Sequence, residues 1–195
     1  MYIGPPIDDR EILDALPAEL RHLLELTNGY VAYYGGLHVR GACHAPEWHS
    51  LRAAWFGENA LHALFPAIKP ADIPFAEDAF GDQYVLRSGA VCRLSAESGE
   101  LEPLGLDLMA FDSEVRADPI GFLALAPLEA FRARGGALNP GQLLNVYPPF
   151  IAKESSSGVS YRAISALEQR RWLADLARQL RNVPDGTRIR FRAAP

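Results

Sequence analysis

Residues 73–86 read "IPFAEDAFGDQYVL", and the reading of this stretch decides the fold. A strand entry runs into Glu77 and Asp78, Gly81-Asp82 follows, and an apolar run resumes at once. Side chains in a strand alternate between faces, so Tyr84 and Leu86 share one side, while Phe75 and Ala76 enter the core. Gly81 permits the turn between the two runs. Three acids around a turn glycine are open to several readings. They are suited to holding a metal, to acid–base work, or to offering charge to a basic partner. Alternatively, Asp78 and Asp82 are turn acids whose side chains accept from free backbone N–H groups.

Further strands follow downstream. "DQYVLR" and "AVCRLS" flank Ser88-Gly89, and "AVCRLS" and "ELEPLG" flank Glu97-Ser98-Gly99, two strand–turn–strand signals. Upstream, "LPAELRHLLELTNGY" places Leu16, Leu20, Leu23 and Leu24 at helical spacing. Pro17 suits that helix's first turn, and Asn28-Gly29 supplies a left-handed stop. "VAYY" and "LHVRGA" around Gly35-Gly36 read as a hairpin, and "PEWHSLRAAWFGENALHALFP" as two short helices broken at Gly57. "DPIGFLALAPLEAFRARGG" reads as helical, capped by Asp118, opened by Pro119, split at Pro127 and ended by Gly135-Gly136.

Past a polar loop at residues 152–160, Ser165 and Glu168 match a capping box. The helix it opens has Ala166, Leu173, Leu176, Ala177 and Leu180 along one stripe. "PDGTRIRFR" then gives a turn and a strand in which Ile189 and Phe191 alternate with Arg188, Arg190 and Arg192. Strands that cluster instead of alternating with helices argue for an α+β class, a central, mostly antiparallel meander flanked by helices. The expected organisation is one domain over residues 1–151 and an extension over 152–195 packed on it.

The 195 residues are 49% hydrophobic and 22% charged, an ordinary globular balance. No apolar stretch approaches the length that spans a bilayer, and the N-terminus lacks the basic start and apolar core of a signal peptide. Cys43 and Cys92 have no metal-ligand spacing, so free buried thiols in the reducing cytoplasm are expected. The net charge of −5 conceals an asymmetry. Residues 1–130 hold 8 Lys and Arg against 20 Asp and Glu, whereas residues 131–195 hold 11 against 4. An acidic body followed by a basic segment implies that charge governs contact with a partner.

Most catalytic chemistry finds no motif. In "HAPEWH", His44, Glu47 and His49 have the wrong spacing for a zinc helix, Pro46 interrupts them, and surface or cap roles are expected. "DAFGDQYVLRSG" lacks the closing glutamate of a calcium loop. No nucleophile elbow, activated cysteine, phosphate loop or dinucleotide fingerprint is present, so no metal or cofactor is expected. Paired carboxylates assembled in space stay open as an alternative. Arg188, Arg190 and Arg192 would stand ~7 Å apart on one strand face, a ladder for phosphates or an acidic protein surface. The simpler reading is a solvated face or edge protection, and the overall acidity opposes nucleic-acid binding.

The helix ending at Asn28-Gly29, then Ile73-Pro74-Phe75-Ala76, then Gly81-Asp82 before a strand, and the "AVCRLSAESGELEPLG" meander, resemble in order and spacing the SUKH superfamily. This group joins a fungal cell-wall assembly regulator with bacterial immunity proteins, and the resemblance covers roughly residues 12–130. It implies an α+β fold and a non-enzymatic role, binding a cognate toxin and blocking it. Pro17, Asn28, Gly29, Pro74, Phe75, Ala76 and Gly81 are then fold-signature positions. Glu77, Asp78 and Asp82, with the three tail arginines, are the candidate partner contacts. The C-terminal segment exceeds the minimal family domain. A scaffold recruiting a cellular protein through that basic segment is the other binding alternative.

Overall fold

A seven-stranded antiparallel sheet, in chain order throughout, organises the molecule. The computed structural model describes residues 1–184, 186 and 187. Strand β1 (Tyr2–Ile3) leads through helices α1 (Arg10–Asp14) and α2 (Ala18–Leu26) to the hairpin of β2 (Tyr30–Ala32) and β3 (Leu37–Val39). Helices α3 (Leu51–Phe56) and α4 (Leu61–Leu64) intervene before the meander of β4 (Ile73–Asp78), β5 (Gln83–Arg87), β6 (Ala90–Ser95) and β7 (Glu100–Leu106). Helices α5 (Leu108–Ala117), α6 (Pro119–Phe122) and α7 (Ala126–Ala133) follow. A separate two-stranded sheet, β8 (Gln142–Tyr147) with β9 (Ser160–Ser165), then runs directly into α8 (Ala166–Leu180).

Local chemistry accounts for most boundaries. Gly29 adopts a φ of +73° after α2, where a side chain would be strained, and Ser88-Gly89 form the β5–β6 turn with both φ values positive. Asp118 accepts from the Gly121 amide and Pro119 opens α6, while Pro127 lies in the first turn of α7, so the split at that proline holds. Pro17 stands one place earlier than expected, as the N-cap of α2.

The sheet is covered on both sides, and this decides the fate of its charged residues. One face carries Leu37, Val39, Phe75, Ala76, Tyr84, Leu86 and Val91 against α1, α2, α5 and the α6–α7 segment. On the other, Val85, Cys92 and Leu94 lie under Leu61 of α4, Phe65 just after it, and Leu173, Ala174 and Ala177 of α8. Fully burying one such leucine is worth about 1.5–3 kcal/mol relative to exposure.

Residue 152, the expected boundary, lies between β8 and β9, and α8 packs in the second core cluster. Two expectations need correction. Ser165 is the N-cap of α8 by backbone position, but its side chain makes no cap hydrogen bond, so the capping box does not form. His49, expected at the surface or a cap, is fully buried. The arginine strand with Arg188, Arg190 and Arg192 lies outside the described residues.

Candidate functional site

Glu77 and Asp78 are adjacent in β4, so they face opposite sides of the sheet. On Glu77's side the register aligns it with His38 and Gln83. Its Oε1 lies 3.0 Å from His38 Nδ1, and its Oε2 accepts from Arg40 Nη2 at 2.9 Å and from Gln83 Nε2 at 3.1 Å. Arg40, with no exposed surface, also donates to the Pro74 carbonyl and to Gln83 Oε1. Arg170 of α8 lies 3.7 Å from the same carboxylate. Burial opposes the charge of Glu77, but Arg170 and Arg40 outweigh it and hold the carboxyl well below the usual range.

The cluster continues through a histidine pair. His38 Nε2 lies 2.9 Å from His49 Nδ1, and His49 Nε2 lies 2.8 Å from the Asn28 carbonyl. Three contacts each call for a proton, while two neutral rings carry two. Burial disfavours a third, pushing His38 down to about 4 despite the Glu77 carboxylate beside it. Arg40 and His49 are fully buried, and His38 and Arg170 nearly so. Glu77, a candidate contact residue from the sequence, is therefore reassigned to the interior: its exposure is 0%.

On the other face lies a cleft of about 640 Å³. Its floor is Asp78, Asp82 and Glu97, its walls include Phe80, Leu144 and Val146, and Ile120 and Phe150 stand at its rim. Asp78 Oδ1 accepts the amides of Phe80, Gly81 and Asp82 at 2.9–3.0 Å, the turn role foreseen for it. Asp82 Oδ1 takes the Ala96 amide at 2.8 Å, a link to the residue just past β6 instead of a turn bond. Glu97 accepts the amides of Phe150 and Ile151 at 3.0 and 2.7 Å, which ties the segment after β8 to the β6–β7 turn. The Leu144 amide donates to the Ala79 carbonyl at 2.7 Å and fixes the other wall.

Charge in the cleft is out of balance. Among the described residues Arg93 is the cation lining it, 3.7 Å from Asp82 and 3.2 Å from Glu102. Burial pushes Asp78 up, reinforced by Asp82 and against its three amide bonds. Burial likewise raises Asp82, helped by Glu102, and Glu97, helped by Asp82. The two faces thus differ in kind: on one a buried carboxylate is met by two guanidiniums, on the other an open recess holds more acids than cations among the described residues. Among the described residues no three His, Cys, Asp or Glu side chains gather to hold a metal ion. No described helix is long and apolar enough to cross a membrane.

Glu97 was read only as part of a turn, and "NPGQLLNVYPPF" at 139–150 only as part of the segment beyond the minimal family domain, neither as part of a site. The acid run gave Asp78 and Asp82, but Glu97 stood within a turn, and its role depends on amides more than fifty residues away.

No family model and no curated protein match the chain. Among solved structures, the crystal structure of Atu4351 from Agrobacterium tumefaciens superposes with a TM-score of 0.54 at 13% identity. The match covers 88% of this chain and 81% of that one, a likeness of fold alone.

Proposed function

We propose that this protein acts by binding another protein, and that it neutralises a toxin domain by covering it, as the resemblance to the SUKH superfamily implies. The observation that carries this reading is the open, acid-floored cleft with an apolar rim. Ile120 and Phe150 are 52% and 42% exposed, and Tyr147 and Ile151 nearby are exposed as well. An apolar patch bordering polar groups is characteristic of protein interfaces. The acidic body suits a basic partner, since complementary charge accelerates encounter and selects among partners. A reducing compartment, the cytoplasm, is the proposed place of action, in keeping with the buried free thiols Cys43 and Cys92.

A carboxylate enzyme is the second reading, favoured by three acids pushed upward within one recess. Against it, Glu97 commits both oxygens to backbone amides and Asp78 commits one to three amides. Such bonds fix a carboxylate in place but leave it less free to shuttle protons.

The test has two stages. Affinity capture from native cells is expected to retain one stoichiometric partner, and co-expression of this protein is expected to abolish that partner's toxicity. A captured partner whose toxicity persists at equimolar ratio contradicts the proposal. So does substrate turnover by the isolated chain that disappears in Asp78→Asn.

A further inference from the structure

We infer that the cleft beside Asp78, Asp82 and Glu97 is a socket for an arginine side chain of the partner, a planar cation on an aliphatic stem. This deepens the binding reading and rests on it for the identity of the occupant.

Three observations converge. The first is space: about 640 Å³ lies within the range of sites that enclose a compact ligand. The second is an unanswered acceptor. Asp78 is only 5% exposed and lines the cleft, yet all three of its hydrogen bonds fall on Oδ1; among the described residues Oδ2 accepts none. Oδ2 is not sealed from solvent, so it stands as an open acceptor on the cleft, available to a donor that enters. The third is the charge count: among the described residues three acids and one guanidinium line the cleft, and Arg93 is already shared with Glu102 outside the floor.

The walls choose among cations. Phe80, Leu144 and Val146 offer apolar surface to a hydrocarbon stem. The acids come from two stretches: Asp78 and Asp82 flank the β4–β5 turn, and Glu97 lies in the β6–β7 turn. A guanidinium with five donors in a rigid fork answers such an array better than a compact ammonium. Charge-assisted bonds of this kind are roughly twice as strong as neutral ones.

The experiment uses the full chain and three small probes: n-butylguanidinium, its neutral isostere n-butylurea, and n-butylammonium. Backbone amide shifts are followed during titration. n-Butylguanidinium is expected to move the amides of Gly81, Asp82, Ala96, Phe150 and Ile151 saturably, about tenfold more tightly than n-butylurea, with n-butylammonium between. Asp78→Asn retains the Oδ1 acceptor for its three amides, and Asp82→Asn retains the acceptor for Ala96. Each is expected to weaken guanidinium binding by about threefold or more. Equal affinity for the urea, no saturable shifts at the cleft, or variants that bind like the parent overturn the socket. The urea contrast needs no variant, so a substitution that misfolds does not shelter the idea. Loss of selectivity in a chain that still neutralises a captured partner sinks the socket alone. Selective binding in a chain that neutralises nothing sinks the binding reading alone.

Discussion

Glu77 and Asp78 are neighbours of like chemistry, and the sheet sends them to opposite fates. Glu77 is sealed among Arg40, Gln83 and His38, with its charge matched. Asp78 faces a cleft in which, among the described residues, acids outnumber cations and one of its oxygens accepts no hydrogen bond. The difference separates stability from function. A closed polar cluster specifies how the strands meet and offers nothing to a visitor. An open, undercompensated one weakens the fold slightly and gains from any cation that enters.

The contrast breaks most visibly on the closed side. Glu77→Ala leaves the Arg40 guanidinium buried without its carboxylate, so denaturant unfolding is expected to show a loss of about 3–5 kcal/mol. A loss below about 1 kcal/mol would mean that the cluster is hydrated instead of sealed. Acid is expected to act there too. His38 has a folded-state value near 4 against an ordinary 6.5, so the unfolded chain takes up a proton first as pH falls. The contribution of keeping His38 neutral is fully present above about 6.5 and is lost progressively down to about 4. Glu77, held low, adds a loss of the same sign at still lower pH. Thermal melts of the parent and His38→Gln across this window check the claim: the variant's curve should be flatter between pH 6.5 and 4.

On the open side the sign reverses. The Asp82 carboxyl is raised by burial, so its ionised form costs stability above the unfolded value, and that cost vanishes below both values. Asp82→Asn is therefore expected to stabilise the protein at pH 7 by about 0.5–2 kcal/mol, with the gain disappearing under acid conditions. A destabilised Asp82→Asn at pH 7 would place the residue among the structural acids and erase the distinction between faces. The smallest effect belongs to neither region. Arg116→Ala removes an exposed i,i+4 pair with Asp112 and should change stability by about 0.5 kcal/mol or less.

Much of this contrast was legible in the sequence, but unevenly. The meander from residue 73 to 106 follows from strand runs punctuated by Ser88-Gly89 and by Glu97-Ser98-Gly99, signals that act locally. Asp78's turn role could be read for the same reason. The β8–β9 hairpin could not, because Pro148-Pro149 and the Ser155-Ser156-Ser157 run resemble a linker, while its pairing spans a long loop. Glu77 read as a candidate partner contact, and His38 and Arg40 were only part of a strand run. Alternation reports which residues share a face; it does not report that α8 and Trp48 cover that face. Glu97's place in the cleft was hidden most deeply, since only folding brings it to the amides of Phe150 and Ile151.

The central claim is that the open face captures a cationic partner. The most direct test is the affinity of the captured partner for the parent and for the Asp78→Asn/Asp82→Asn double variant, across a range of salt concentrations. The account predicts binding weaker by about ten- to a hundredfold in the double variant, with a shallower salt dependence. Unchanged affinity and unchanged salt dependence in a folded double variant would contradict it.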